Sequence, residues 1–197
     1  MHAVTKWQVD IISMSFGLTD ETEPGCDDFL EAIEAARAYK ILMFAAASNN
    51  GSHSRPAFPA RHDGVFCIFA TDGKGNCGPA NPTAEPHAYN FSTLGQAVKS
   101  AWPEGLREGR WKRRSGTSFA VPVAAGMVAT ILLYARRELS GEEARRFKEY
   151  AKMRDMLHAL SDFRGGYNVI SMARFFGEAL EHAVPQMRMI LAGTWRK

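Results

Sequence analysis

Residues 119–135, FAVPVAAGMVATILLYA, run for 17 positions without a charge and constrain the architecture more than any other stretch. A bilayer span needs about 20 apolar residues. This run falls short of that and contains Pro122, Gly126 and Thr130, with a basic segment ahead of it and Arg136, Arg137 and Glu138 behind it. A helix that is apolar on every side is otherwise one enclosed by protein. With Gly116 and Ser118 at its start, the run reads as a helix buried inside a domain. A chain of 197 residues with 46% apolar and 23% charged residues can enclose such a helix.

Short apolar runs predict a parallel sheet around it. Residues 10–15 (DIISMS) form a β-favouring run that ends near Gly17. Residues 26–40 place Phe29, Ile33 and Ala36 on one helical stripe, with Asp28 and Glu31 in capping-box spacing. Residues 41–47 and 65–70 are further apolar runs. Strand, helix and strand at these lengths predict βαβ units, hence an α/β fold with helices on both faces of a parallel sheet. Residues 71–90 read as loop, with another strand around 97–100. Ser140 and Glu143, again in capping-box spacing, open an amphipathic helix with Phe147, Tyr150, Met153, Leu157 and Leu160 on one face. Gly165 and Gly166 break it, and a shorter helix is predicted over 172–183, ahead of Pro185. The chain thus divides into a sheet-bearing part, 1–139, and a helical C-terminal tail, 140–197, packing on it. Only nine residues precede the first strand, too few to cover either of its faces, so the sheet is expected to be N-terminally incomplete.

Composition narrows the function classes. The net charge of +3 implies no nucleic-acid partner by itself. Cys26, Cys67 and Cys77 are odd in number and form no C-x-x-C pair, which argues against a disulfide framework and a structural zinc site. No metal or cofactor is expected. Residues 1–17 lack the features of a signal peptide, and no compartment is encoded in them. Arg107, Arg110, Lys112, Arg113 and Arg114, with Trp111 among them, read as a solvated loop ahead of the apolar helix, not as a nucleic-acid platform.

Three segments can carry chemistry. Residues 116–122, GTSFAVP, stand where a polar loop enters the apolar helix. There a serine Oγ lies near unpaired backbone N–H groups and the positive end of the helix dipole, which favours developing negative charge. Equally, Thr117 or Ser118 there can simply cap a core helix. Pro122 is expected in the first turn, where a missing N–H costs little. Residues 45–51, AAASNNG, follow an apolar strand; Asn49 or Asn50 can aim an amide at an oxyanion, or the run is an ordinary turn. Residues 13–17, SMSFG, end the first strand, where Gly17 would let an extended peptide pair alongside.

Together, DIISMSFG, ILMFAAASNNG and GTSFAVPVAAG resemble the subtilisin-like serine peptidases (subtilases, peptidase family S8), over about residues 4–135. The order and approximate separations are similar to that family's substrate-binding strand, oxyanion asparagine and nucleophile motif G-T-S-x-[SA]-x-P. The resemblance implies the C-terminal part of a subtilisin-like catalytic domain. It implies Ser118 as nucleophile and Asn49 as oxyanion donor, with Asn50 as the fallback. Ser15, Phe16, Gly17, Ala47 and Ala57 are implied as substrate-binding residues. Residues 57–60 form the other wall of the pocket for the residue before the scissile bond, and the small Ala57 and Ala60 beside Phe16 hint at a roomy apolar pocket. Ser48 replaces the family's usual glycine. The implied activity is that of a serine endopeptidase on a peptide or protein substrate, working through an acyl-enzyme; no nucleic-acid or membrane partner is implied, and the oligomeric state is left open.

A serine hydroxyl needs a neighbouring base. In subtilisin the order along the chain is Asp, His, Ser, so both partners precede the nucleophile. The family's D-[ST]-G and H-G-T settings occur nowhere in this sequence. Of His2, His53, His62 and His87, His53 is the substitute base nearest the oxyanion loop. The expectation is a peptidase fragment inactive alone, against the alternative of a non-catalytic peptide-binding module.

Overall fold

A computed structural model describes residues 2–18, 25–86, 88–103, 110–176 and 180–195; His87 and Arg107 lie outside the described residues. In chain order the elements are α1 (His2–Thr5), β1 (Ile11–Met14), α2 (Cys26–Ala38), β2 (Leu42–Ala46), β3 (Val65–Thr71), β4 (Phe91–Leu94), β5 (Val98–Ala101) and β6 (Trp111–Arg114). Then follow α3 (Thr117–Glu138), α4 (Gly141–Arg146), α5 (Tyr150–Ala159), β7 (Ser161–Arg164), β8 (Tyr167–Ile170), α6 (Ala173–Phe176) and α7 (Leu180–Ala192).

The main sheet has the order β1-β2-β3-β4-β8-β7, with parallel neighbours from β1 to β8 and β7 antiparallel at the far edge. This is the expected α/β architecture. Alternation along β2 and β3 feeds two cores. Leu42, Phe44, Ala46, Phe66, Ile68 and Ala70 join Ala120, Val121, Ala124, Val128 and Ile131 of α3. Met43, Ala45 and Val65 face the other way, onto Ile33 and Ala36 of α2. Strands buried on both faces read as continuous apolar runs, which is why 41–47 and 65–70 were legible.

The long apolar helix is enclosed on one side only. Pro122, Gly126, Ala129 and Leu133 form an exposed stripe, with Leu133 67% exposed, so the expectation of a wholly buried helix is corrected. Pro122 is the sixth residue of α3, beyond the first turn. Its missing N–H would have bonded the Ser118 carbonyl four residues back. Ser15 Oγ donates to that carbonyl instead, at 2.8 Å.

Other expectations also change. The N-cap of α2 is Gly25, with no side-chain cap, so Asp28 and Glu31 form no capping box. Ser140 and Glu143 do form one, across 3.2 Å and 3.0 Å bonds. The helix they open is interrupted after Arg146 and resumes as α5. The tail is not all helical: Gly165 and Gly166 form the turn of the β7–β8 hairpin, and β8 extends the parallel sheet by pairing with β4. α7 continues through Pro185. The strand near 97–100 is β5, which pairs antiparallel with β6 in a separate two-stranded ribbon. The basic segment 111–114, read as loop, is therefore a strand.

Two features near the ends of these strands have measurable consequences. Asp10, just before β1, takes Arg136 of α3 at 2.5 Å and Lys148 at 3.0 Å. Burial pushes its carboxyl up, but hydrogen bonds and charge from Arg136 and Lys148 outweigh this and hold it below the ordinary value of 3.8. A depressed carboxylate contributes stability that is present above the unfolded pKa and lost as pH falls through the folded one. Asp10→Asn is therefore expected to cost about 0.5–1 kcal/mol near neutrality, since the pairs are partly exposed, and to flatten the loss of stability below about pH 4. Urea midpoints at both pH values check this, and an unchanged acid slope in the variant contradicts it.

Ser48, one residue after Ala47, sits at φ +129°. Non-glycine residues enter that region only under strain, at about 1–3 kcal/mol. Its Oγ is also buried without a hydrogen-bond partner. Ser48→Gly removes both costs and is expected to stabilise the fold by about 1 kcal/mol. A urea midpoint at or below that of the parent chain contradicts the strain argument.

Candidate active site

The N-cap of α3 is Gly116, which has no side chain to cap with. The capping acceptor comes from the tip of β2 instead: Thr117 N–H donates to Asn49 Oδ1 at 2.9 Å. Thr117 is fully buried and its Oγ1 donates to the Ser48 carbonyl at 3.2 Å. Among the described residues no hydrogen bond uses the Ser118 hydroxyl. The two readings of GTSFAVP therefore separate. The cap is made by Asn49, and Ser118 Oγ remains uncommitted at a half-buried position.

This bond also orients the carboxamide. A backbone N–H requires an oxygen opposite it, so Asn49 Oδ1 faces Thr117 and Nδ2 is left as a donor. Asn49 is exposed, which leaves its amide open to a ligand. A β-carbon built on Gly116 would stand 3.3 Å from Asn49 Nδ2 and 3.4 Å from Ser118 Oγ, so these two groups lie within about 6.7 Å of each other. Glycine at 116 keeps the space between them open.

Gly95, not singled out in the sequence, lets this corner close. Its carbonyl accepts from Gly116 N–H at 2.8 Å. A β-carbon there would come within 2.7 Å of Ala70 Cβ and 2.9 Å of both Ala120 Cβ and the Gly116 oxygen. The end of β4, the start of α3 and the end of β3 therefore meet at backbone distance. A lone glycine in the segment LGQ gives no signal for this.

Ser15, Phe16 and Gly17 follow β1 and are exposed. Ser15 is tied to the turn that carries Ser118 through the Ser118 carbonyl. A β-carbon on Gly17 would meet Ala57 Cβ at 2.7 Å, and Leu18 and Phe58 exchange backbone hydrogen bonds of 2.7 Å and 3.0 Å. Ala57 N–H in turn donates to the Ala47 carbonyl at 2.7 Å. The structure thus brings Ser15, Gly17, Ala47, Ala57, Asn49 and Ser118 to one end of the sheet. Small side chains at 17 and 57 serve close packing between the two segments. Phe16 is 56% exposed and leans on Phe29 at 5.9 Å between ring centroids, and Phe29 in turn meets Phe58 at 5.5 Å.

The histidines are placed as follows. His2 meets Trp7 edge-on at 5.1 Å, and His62 Nε2 lies 3.3 Å from Glu34. His53 is exposed in the turn after Asn50. Among the described residues no group of three or more His, Cys, Asp or Glu side chains could hold a metal ion. Burial pushes the Cys67 thiol far up and the Cys77 thiol up to about 11, so neither is a nucleophile near neutrality.

The subtilisin-like protease het-Q2 of Podospora anserina is 29% identical over 195 residues, 97% of this chain and 51% of that protein. The thermostable alkaline protease of Halalkalibacterium halodurans is 30% identical over 126 residues, 61% of this chain and 30% of that protein. Among solved structures, the prenylagaramide maturation protease PagA shares 27% identity at a TM-score of 0.64, covering 82% of this chain and 55% of that one. The patellamide maturation protease PatA shares 25% at a TM-score of 0.69, covering 91% and 65%. The chain spans about half or less of the curated relatives it matches. The subtilase family model matches residues 1–162, well over half of the sequence, and the chain belongs to the subtilase family.

Proposed function

We propose that this chain is the nucleophile-bearing and oxyanion-bearing part of a serine endopeptidase. Ser118 Oγ attacks the scissile carbonyl carbon while a base takes its proton. The carbonyl oxygen, now negative, receives hydrogen bonds from Asn49 Nδ2 and from Ser118 N–H, which in the first turn of α3 has no intrahelical acceptor. Collapse of the tetrahedral intermediate expels the amine with a proton and leaves an acyl group on Ser118. Water then repeats the sequence in reverse and frees the acid. The backbone of residues 15–17 pairs with the extended substrate.

The observation that carries this reading is the Thr117–Asn49 hydrogen bond, because it caps the helix without using Ser118 and turns the donor end of the carboxamide outward. Among the described residues no hydrogen bond joins a histidine to the Ser118 hydroxyl: His2 meets Trp7, His62 meets Glu34 and His53 is exposed in its turn, and the D-[ST]-G and H-G-T settings are absent from the sequence. We infer that the aspartate and histidine come from residues other than these 197 and that the chain is inactive alone.

A fluorophosphonate probe tests this. The chain alone is expected to resist labelling, and to become labelled at Ser118 when coexpressed with a polypeptide carrying the aspartate and histidine half of a subtilase. Labelling must vanish in Ser118→Ala. Continued resistance in the mixture favours the non-catalytic peptide-binding module. Labelling of the chain alone overturns the inference that the base lies elsewhere.

Asn49→Asp separates scaffold from chemistry. It keeps an oxygen for Thr117 N–H but replaces the donor with an anion facing the oxyanion. The urea midpoint is expected to shift by less than about 0.5 kcal/mol. The acylation rate of the complemented enzyme is expected to fall about 100-fold or more. An unchanged rate removes Asn49 from the oxyanion site.

A further inference from the structure

The β5–β6 ribbon concentrates the chain's positive charge. The two strands carry Lys99, Lys112, Arg113 and Arg114 and no carboxylate, a balance of +4 where the whole chain carries +3. Pairing Val98 with Arg114, Lys99 with Arg113, Ser100 with Lys112 and Ala101 with Trp111 sorts these side chains onto two faces. On one, Lys112 Nζ lies 4.7 Å and Arg114 Cζ 4.9 Å from the Trp102 ring. On the other, Lys99 Nζ lies 5.5 Å from the ring of Trp111, which is 60% exposed. An indole face attracts a cation through its quadrupole and carries no net charge of its own. Among the described residues no carboxylate pairs with Lys99, Arg113 or Arg114.

The base of the ribbon is fastened to the nucleophile turn. Ala97 N–H donates to Ser115 Oγ at 2.9 Å, Arg113 Nη1 to the Ala97 carbonyl at 2.8 Å, and Gly116 N–H to the Gly95 carbonyl at 2.8 Å. Anything bound along the ribbon is therefore delivered next to Ser118. A two-stranded ribbon also leaves the outer backbone groups of both strands open to a further strand. A polypeptide satisfies those groups, and a nucleic acid does not. In such a strand, carboxylates two residues apart fall on one face, and each face of the ribbon presents cations to them.

We propose that the β5–β6 ribbon is an exosite for acidic polypeptide segments. It selects substrates carrying alternate Asp or Glu residues within a few positions of the bond presented to Ser118. The inference rests on the reading of Ser118 as the reacting group only for that last step, and binding itself requires no chemistry.

The test uses the full chain carrying Ser118→Ala, so that failure of the peptidase reading does not affect it. Fluorescence anisotropy compares a labelled peptide of alternating Glu and Ser, its Gln counterpart, and a single-stranded oligonucleotide of equal charge. At about 50 mM salt the Glu peptide is expected to bind about tenfold or more tighter than the Gln peptide, with the advantage shrinking at about 300 mM. Lys99→Glu with Arg114→Glu, one change per face, is expected to abolish the preference while the chain still unfolds cooperatively in urea. Lys99→Arg should retain it. Equal affinity for the Glu and Gln peptides overturns the proposal, and so does an oligonucleotide that binds tighter than the Glu peptide.

Discussion

The hydrogen bond from Thr117 N–H to Asn49 Oδ1 is the constraint on which the arrangement at the top of the sheet depends. A helix start leaves its first N–H groups unpaired, and a glycine at the N-cap cannot satisfy them. Borrowing the acceptor from a residue 68 positions earlier solves that problem and creates a second effect. It fixes which end of the Asn49 carboxamide faces outward and leaves the neighbouring hydroxyl with no structural duty. Capping falls to Asn49, and the Ser118 hydroxyl beside it is not used for that purpose among the described residues.

Pro122 works alongside this. By withholding an N–H from the second turn of α3, it frees the Ser118 carbonyl, and Ser15 Oγ takes the vacancy. The segment after β1 is thereby hooked to the turn that carries Ser118. Gly17 against Ala57 and Gly95 against Gly116 complete the closure, each at a distance that excludes a β-carbon. The site is built from backbone contacts at strand ends, supported by a sheet whose two faces are filled by alternate residues of β2 and β3.

Legibility followed burial. The runs at 41–47 and 65–70 are enclosed on both faces and stand out as apolar blocks. β4, FSTL, escaped notice because Ser92 and Thr93 are buried polar residues within a four-residue strand. The β7–β8 hairpin was hidden behind helical spacing that runs from Phe147 to Leu160, and its two glycines look the same whether they end a helix or turn a hairpin. β6 carries four consecutive residues of the sequence WKRR, and only its pairing with β5 turns a charge run into a strand.

What the sequence determined by itself was the set of local chemistries: an uncharged helix, apolar strands of parallel type, and three motifs whose order resembles one family. Those depend on residue type and short spacing. Which hydroxyl is spent on capping, which way a carboxamide points, and which cations gather on one ribbon depend on residues tens of positions apart being brought into contact. No periodicity encodes such distances, because they are set by the packing of a helix across an open six-stranded sheet.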